Sequence, residues 1–181
     1  MALDVAAKVA LVVMLALVLL NPDYGNLEGK APVARAVTYP LLAFVLPAAW
    51  LVLRPARPFP WVPDLLLTLV CFSDILGNRL DLYDTVVWFD DWMHFMDTGL
   101  VAAAVVLLTV GRGAGLDVLL PRAVAVGVTA ALAWEVFEFV SFMTRSPELP
   151  DAYADTLGDL VLGWWGAVVA ALVIAAVRRR S

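Results

Sequence analysis

The stretch "WFDDWMHFMDTGLVAAAVVLLTV", residues 88–110, joins three aspartates and the only histidine of the chain to a long apolar run. Its second half is apolar enough for the hydrocarbon core of a bilayer, where charged side chains are costly. Spacing by three residues places Asp91, His94 and Asp97 on one face of a helix, and Asp90, four residues before His94, is a rival for that face. The stretch therefore predicts a membrane helix that turns its charges toward other helices.

The composition of the whole chain indicates a membrane protein. The 181 residues are 63% hydrophobic and their mean hydropathy is +0.89, whereas ordinary soluble domains are about half apolar. The single cysteine, Cys71, allows no disulfide within the chain. With a pI of about 4.7 and one basic cluster at the end of the chain, nucleic-acid binding has little support, and we expect none.

The apolar segments predict an all-α integral membrane protein with about six spans in one transmembrane domain, residues 1–181. Each segment approaches the roughly 20 residues that cross a bilayer as a helix. Pro40 and Pro47 should kink the second span. The third span contains Ser73 and Asp74, so it is expected to cross only in the company of other helices. The predicted spans are approximately residues 3–20, 36–53, 64–80, 92–110, 116–143 and 156–177.

Lysine and arginine are unevenly distributed between the connecting loops. If both termini are cytoplasmic, eight of the 12 basic residues lie on the cytoplasmic side, as the positive-inside rule requires. In the same topology, fourteen of the 17 acidic residues lie in the outer half. We therefore expect an N-in, C-in, multi-pass protein of the bacterial inner (cytoplasmic) membrane with an acidic outer side.

Polar residues of four predicted spans fall in the same outer third of the bundle. Arg79 and Arg145 are the bases closest to them in the topology, and two bases cannot balance this number of acids. Either some carboxyl groups are protonated or a cation lies among them. The residues are Asp74 and Asn78, Asp91, His94 and Asp97, Glu135 and Glu138, and Asp155 and Asp159.

A carboxylate-rich site with one imidazole suits Mg²⁺, Mn²⁺ or Zn²⁺. His94, Glu135 and Glu138 are also the candidate general acids or bases. The predicted metal ligands are Asp91, His94, Asp97, Glu135, Glu138 and Asp159, and the residues expected to support them are Asp74, Asn78, Asp90, Arg145 and Asp155.

Several residues also have a purely structural interpretation. His94 alone would more often be a hydrogen-bonded structural histidine, and the surrounding acids make the two interpretations about equal. Asp155 is equally well explained as a helix N-cap. Gly158, Gly163 and Gly166 indicate close helix packing rather than chemistry.

The motifs "DDWMHF", "WEVFE" and "YADTLGDLVLGWWGA" resemble the motif series of YjdF-like bacterial inner-membrane proteins. The similarity spans about residues 60–175, and a looser similarity to VanZ-like membrane proteins rests on an Asp and a His sharing one helix. The resemblance implies the fold and the importance of His94, Glu135, Glu138 and Asp159. The YjdF-like group itself is largely of unknown function. The resemblance therefore implies no reaction.

Three functions remain open from the sequence. The first is a divalent-cation site, with hydrolysis or transfer on a lipid or lipid-linked substrate. The second is a proton- or cation-coupled transporter of ions or small molecules, although the cytoplasmic halves of the spans are almost purely Val, Ala and Leu. The third is a non-catalytic accessory subunit whose acids bind a basic partner segment. Membrane lipid is an expected partner in each case.

Overall fold

The structure is a computed structural model that describes residues 1–147 and 149–180. All regular secondary structure in these residues is helical, which confirms the all-α prediction. Short 3-10 turns, Pro22–Gly25 and Met143–Arg145, follow the first and seventh helices. The α-helices are α1 Ala2–Leu20, α2 Pro32–Ala43, α3 Val45–Leu53, α4 Trp61–Arg79, α5 Leu82–Thr85, α6 Phe89–Thr109, α7 Leu116–Ser141 and α8 Ala152–Arg180.

Five of the described helices are long and apolar enough to cross a membrane, namely α1, α4, α6, α7 and α8. The pair α2 and α3 forms a sixth span if it is counted as one element bent by 45°. The third predicted span, α4, meets the same criterion despite its polar residues. The prediction of about six spans is therefore confirmed.

Pro47 explains why the second span is broken. A proline has no amide N–H, and its ring collides with the carbonyl four residues earlier, which here belongs to Ala43. The helix accordingly ends at Ala43 and restarts at Val45, while the Phe44 amide still donates to the Pro40 carbonyl at 2.9 Å. Pro40 itself lies inside α2.

The chain divides into two compact units. The first, Met1–Val86, contains α1 to α5, and the second, which begins at Val87, contains α6 to α8. The prediction of one transmembrane domain concerns how the two units combine, and it stays a prediction.

Small residues hold the helices of the second unit close together. A Cβ atom added to Gly99 of α6 would lie 3.0 Å from the Gly166 carbonyl oxygen of α8, and one added to Gly166 would overlap the Phe95 carbonyl oxygen. Gly163 faces Thr98 in the same way, at 3.0 Å from its hydroxyl oxygen. The packing role predicted for Gly163 and Gly166 is confirmed. It is wrong for Gly158, because nothing lies within 4 Å of a Cβ added there.

Buried ion pairs hold the first unit together. At the start of α1 and α4, Lys8 Nζ lies 3.0 Å from Asp4 Oδ1 and 2.9 Å from Asp64 Oδ2. Toward the other end of α4, Arg35 Nε lies 3.1 Å from Asp74 Oδ2. The expectation that one half of every span is almost purely apolar is therefore wrong for α1 and α4, because their first halves contain buried Lys8 and its two aspartates.

Candidate functional site

His94 lies in the second unit with a carboxylate at each edge of its ring. Its Nε2 atom is 3.6 Å from Asp90 Oδ1 and 3.6 Å from Asp159 Oδ2. Its Nδ1 atom is 3.5 Å from Glu135 Oε1. These separations exceed those of good hydrogen bonds, so the ring is surrounded by carboxylates rather than tightly bonded to one of them.

Each acid reaches the ring because of where its helix begins or ends. Asp90 and His94 are four residues apart on α6 and share a face. Asp159 lies near the start of α8, which the glycine contacts of Gly99 and Gly166 hold against α6. Glu135 lies near the end of α7, and its side chain is buried.

The ring joins two groups of potential ligands. Asp90, His94 and Asp159 offer ligand atoms that lie within 4.8 Å of one another, and so do His94, Glu135 and Glu138. His94, Glu135 and Asp159 are buried, with 8%, 7% and 3% of their surface exposed, whereas Asp90 and Glu138 are partly exposed. Each group thus has one edge that is accessible from outside.

The buried acids of the cluster lack compensating positive charge. Among the described residues, His94 is the only ion-pair partner of Glu135 and of Asp159. The Oε1 atom of Glu135 is buried and accepts no hydrogen bond from the described part of the chain. One imidazole therefore faces at least two buried carboxylates, so its single positive charge cannot balance both of them.

Four of the six predicted ligands meet in this cluster, namely His94, Glu135, Glu138 and Asp159. Asp91 differs from the expectation, since it is exposed and belongs to neither group. A separation of four residues rotates a helical side chain by about 40°, and a separation of three rotates it by about 60° in the other direction, so Asp90 lies closer to His94. Asp97 is half-buried and also belongs to neither group.

Of the residues expected to support the site, Asp90 belongs to the cluster itself. Asp155 and Arg145 are exposed, and Asp155 lies in the first turn of α8, where its charge suits the helix dipole. In the first unit, Asp74 accepts hydrogen bonds from Arg35, Tyr39 and Tyr83, and the Asn78 amide donates to the Asp74 carbonyl.

The comparison with protein families identifies the chain at the level of family. The profile of a family described as predicted membrane protein (DUF2238) matches residues 3–180. The chain belongs to this family. No curated protein and no solved structure matches the chain. DUF2238 membership confirms the part of the resemblance that concerns a polytopic membrane family.

The cluster that sequence reasoning missed in this DUF2238 chain lies in the first unit. Asp4, Lys8, Asp64 and Thr68 are all buried at the start of α1 and α4. The signal was present, because Asp4 and Lys8 are spaced i,i+4 and so are Asp64 and Thr68. The spacing within each helix does not show that α1 and α4 pack against each other, so the sequence alone does not bring the two pairs together.

Proposed function

We propose that Asp90, His94 and Asp159 bind a divalent cation between α6 and α8. Two ligand atoms that bind one metal at 2.0–2.2 Å in tetrahedral geometry are separated by about 3.4 Å. The distances of 3.6 Å from Nε2 to both carboxylates are close to this value. Small side-chain adjustments would therefore bring all three atoms onto one ion. This spacing is the observation that carries the proposal.

Glu135 fits the role of orienting the imidazole. A metal-bound histidine almost always donates its other ring N–H to a carboxylate or carbonyl. Glu135 Oε1 lies 3.5 Å from Nδ1 and has no other donor among the described residues. Protonation of Nδ1 would leave the Nε2 lone pair free for the metal. The acceptor at Nδ1 and a metal at Nε2 would thus both favour the tautomer in which Nδ1 carries the proton.

The donor set of one imidazole nitrogen and carboxylate oxygens suits Zn²⁺, Mn²⁺ or Mg²⁺. When bound, such an ion activates water or holds a phosphate oxygen. Glu138, partly exposed beside Glu135, is then the candidate general acid or base. The function we favour is hydrolysis or transfer on a lipid or lipid-linked substrate that reaches the site from the membrane.

The cellular setting is part of the same proposal. The distribution of lysine and arginine supports N-in, C-in topology, which places His94 in the extracytoplasmic half of a bacterial inner membrane. We also propose that the chain is YjdF-like, because the motifs around His94, Glu135 and Asp159 resemble those of that group. The substrate would then be a component of the outer leaflet.

A cation- or proton-coupled transporter is the second candidate. Lys8, Asp4 and Asp64 remove the objection that the cytoplasmic ends of all spans are apolar, because these titratable groups are buried in α1 and α4. Intramembrane acids and bases are typical of ion and proton pathways. The convergence of ligand atoms around His94 favours the metal site.

A matched pair of substitutions tests the metal site. Purified protein is loaded with Zn²⁺ or Mn²⁺, and bound metal is measured by elemental analysis in wild type, Asp90→Asn and Asp91→Asn. Asp90→Asn should lose stoichiometric metal, while Asp91→Asn, the adjacent exposed acid, should retain it. Glu135→Gln should weaken binding about 10- to 100-fold, as expected for a residue that orients a ligand.

The remaining outcomes separate the alternatives. Loss of metal in Glu138→Gln with retention in Asp90→Asn would move the ion to the Nδ1 side of His94. No metal in wild type, together with proton or cation flux across liposomes that His94→Ala abolishes, would replace the metal site by the transporter.

A further inference from the structure

The first unit contains a cavity of about 740 Å³ that the function proposed above does not use. It lies among α1, α3 and the start of α4, and its wall includes four aromatic side chains, Phe44, Trp50, Phe59 and Trp61. Four valines of α1, between residues 5 and 13, extend the apolar wall along that helix. Cavities of 300–1,000 Å³ with mostly apolar walls are typical ligand sites.

One end of this cavity is charged. Asp4, Lys8 and Asp64 line it, and they are buried, with 2%, 7% and 1% of their surface exposed. Lys8 lies within 3.0 Å of a carboxylate oxygen of each aspartate. Two carboxylates therefore share one ammonium group, and when all three are ionised this end of the cavity carries a net negative charge.

Asp64 provides the second and independent indication of a ligand. Its Oδ2 atom faces Lys8, but its buried Oδ1 atom accepts no hydrogen bond from any residue that the structure describes. Thr68, one turn later, does not supply the donor, because its hydroxyl donates to the Asp64 backbone carbonyl at 2.9 Å. A buried carboxylate oxygen without a donor is costly, so a cationic N–H group from a ligand would satisfy it.

The distance between the charged end of the cavity and its apolar end limits the shape of a ligand. Asp4 and Asp64 lie in the first turns of their helices, whereas Val13 is nine residues, or about 13 Å, farther along α1. A ligand with an ammonium group at the helix ends and an apolar body along α1 has the polarity of a membrane lipid, and this length accommodates the upper part of one acyl chain. Aromatic rings at the helix ends suit the interface and also attract ammonium groups.

We propose that this cavity binds an aminophospholipid, with its primary ammonium group donating to Asp64 and an acyl chain lying along α1. A quaternary ammonium has no N–H to donate, and a purely anionic headgroup would be repelled by the two aspartates. The loop after α3 carries Arg54 and Arg57, both exposed, which suit the lipid phosphate. The Trp50 indole N–H donates to the Arg57 carbonyl at 3.4 Å and holds this loop beside the cavity.

The test compares lipids that differ only in headgroup. Purified protein is titrated with phosphatidylethanolamine, phosphatidylcholine or phosphatidylglycerol of identical acyl chains, and retained lipid is counted by native mass spectrometry. Wild type should retain phosphatidylethanolamine preferentially. Asp64→Asn should reduce that preference about tenfold, the loss expected for one hydrogen bond to a charged group. Asp84→Asn, an exposed acid of the same unit, should leave it unchanged.

A second measurement on folded protein guards against misfolding of the Asp64 variant. In nanodiscs, brominated phosphatidylethanolamine should quench tryptophan fluorescence more than brominated phosphatidylcholine, and replacing both cavity tryptophans, Trp50→Phe with Trp61→Phe, should remove most of this difference. Equal retention of the three lipids, together with equal quenching by the two brominated lipids, would mean ordinary boundary lipid and would overturn the proposal. Binding of dodecylamine without any preference for phosphatidylethanolamine would also overturn it, in favour of a free amine. Because all these residues lie in the first unit, the outcome is independent of metal binding at His94.

Discussion

A graded series of glycine substitutions tests whether backbone contact between α6 and α8 holds the second unit together. Gly99→Ala would place a Cβ atom 3.0 Å from the Gly166 carbonyl oxygen, which is 0.4 Å short of ordinary contact at 3.4 Å. Gly166→Ala would make its Cβ overlap the Phe95 carbonyl oxygen severely. Both neighbours are backbone atoms, which cannot rotate away as a side chain can. The helices themselves must therefore separate.

The expected costs follow from these contacts. Overpacking usually costs 1–3 kcal/mol, and we expect about 1 kcal/mol for Gly99→Ala and about 3 kcal/mol or more for Gly166→Ala. For a chain of this size, about 3 kcal/mol lowers Tm by roughly 6–12 °C. Gly158→Ala is the matched control on α8, where nothing lies within 4 Å, and it should raise stability by about 0.4–1 kcal/mol.

The three variants are heated in detergent, and the loss of monodisperse protein with temperature ranks their thermal stabilities. Separation of the helices also moves Asp159 away from His94, so Gly166→Ala should bind less metal than Gly158→Ala. Equal Tm values for Gly166→Ala and Gly158→Ala would refute close packing of α6 on α8.

Three further predictions concern other parts of the chain. Lys8→Met should destabilise the first unit by about 3–5 kcal/mol, since it leaves two buried aspartates without their cation. The control Lys30→Met breaks only the partly exposed pair with Asp84 and should cost at most about 1 kcal/mol. Unfolding titrations in SDS compare the stabilities of the two variants. Pro47→Ala should straighten the 45° bend between α2 and α3. Pulsed EPR should then show that the distance between spin labels at the exposed Val37 and Val52 increases by roughly 2 Å. An unchanged distance would mean that tertiary packing, and not Pro47, causes the bend. Removal of metal with EDTA should lower the Tm of wild type but not of His94→Ala, with a shift that reflects about 2.7 kcal/mol when the metal was present at 100 times its Kd; equal shifts would place the metal elsewhere.

Hydropathy predicts the helices well because the bilayer imposes a simple requirement. Every backbone polar group must be satisfied within the span, so apolar runs of sufficient length become helices whatever their neighbours. The break at Phe44 was also predictable from Pro47, since its cause is local. Bounds moved by a few residues where polar or aromatic residues extend a helix past the apolar run, as with Ala152 to Thr156 at the start of α8.

The site is only partly readable from sequence because it depends on side-chain direction across helices. Spacing by three and four residues identified His94, Glu135, Glu138 and Asp159, yet it could not choose between Asp90 and Asp91, which are neighbours at the start of one helix. The partners of Asp74 were equally hidden, because Arg35 and Tyr39 come from a different helix. A pattern within one helix cannot report which helix lies beside it.

The order of synthesis gives the pairing of α6 with α8 a consequence for biogenesis. His94 leaves the ribosome 65 residues before Asp159, the acid of α8 that faces its ring. At about 5–20 residues per second, this interval lasts roughly 3–13 s. During that time α6 carries its aspartates and histidine without α8, so it should stay at the insertion machinery or at the lipid headgroups. Release of α6 into the hydrocarbon should wait until α8 has been synthesised.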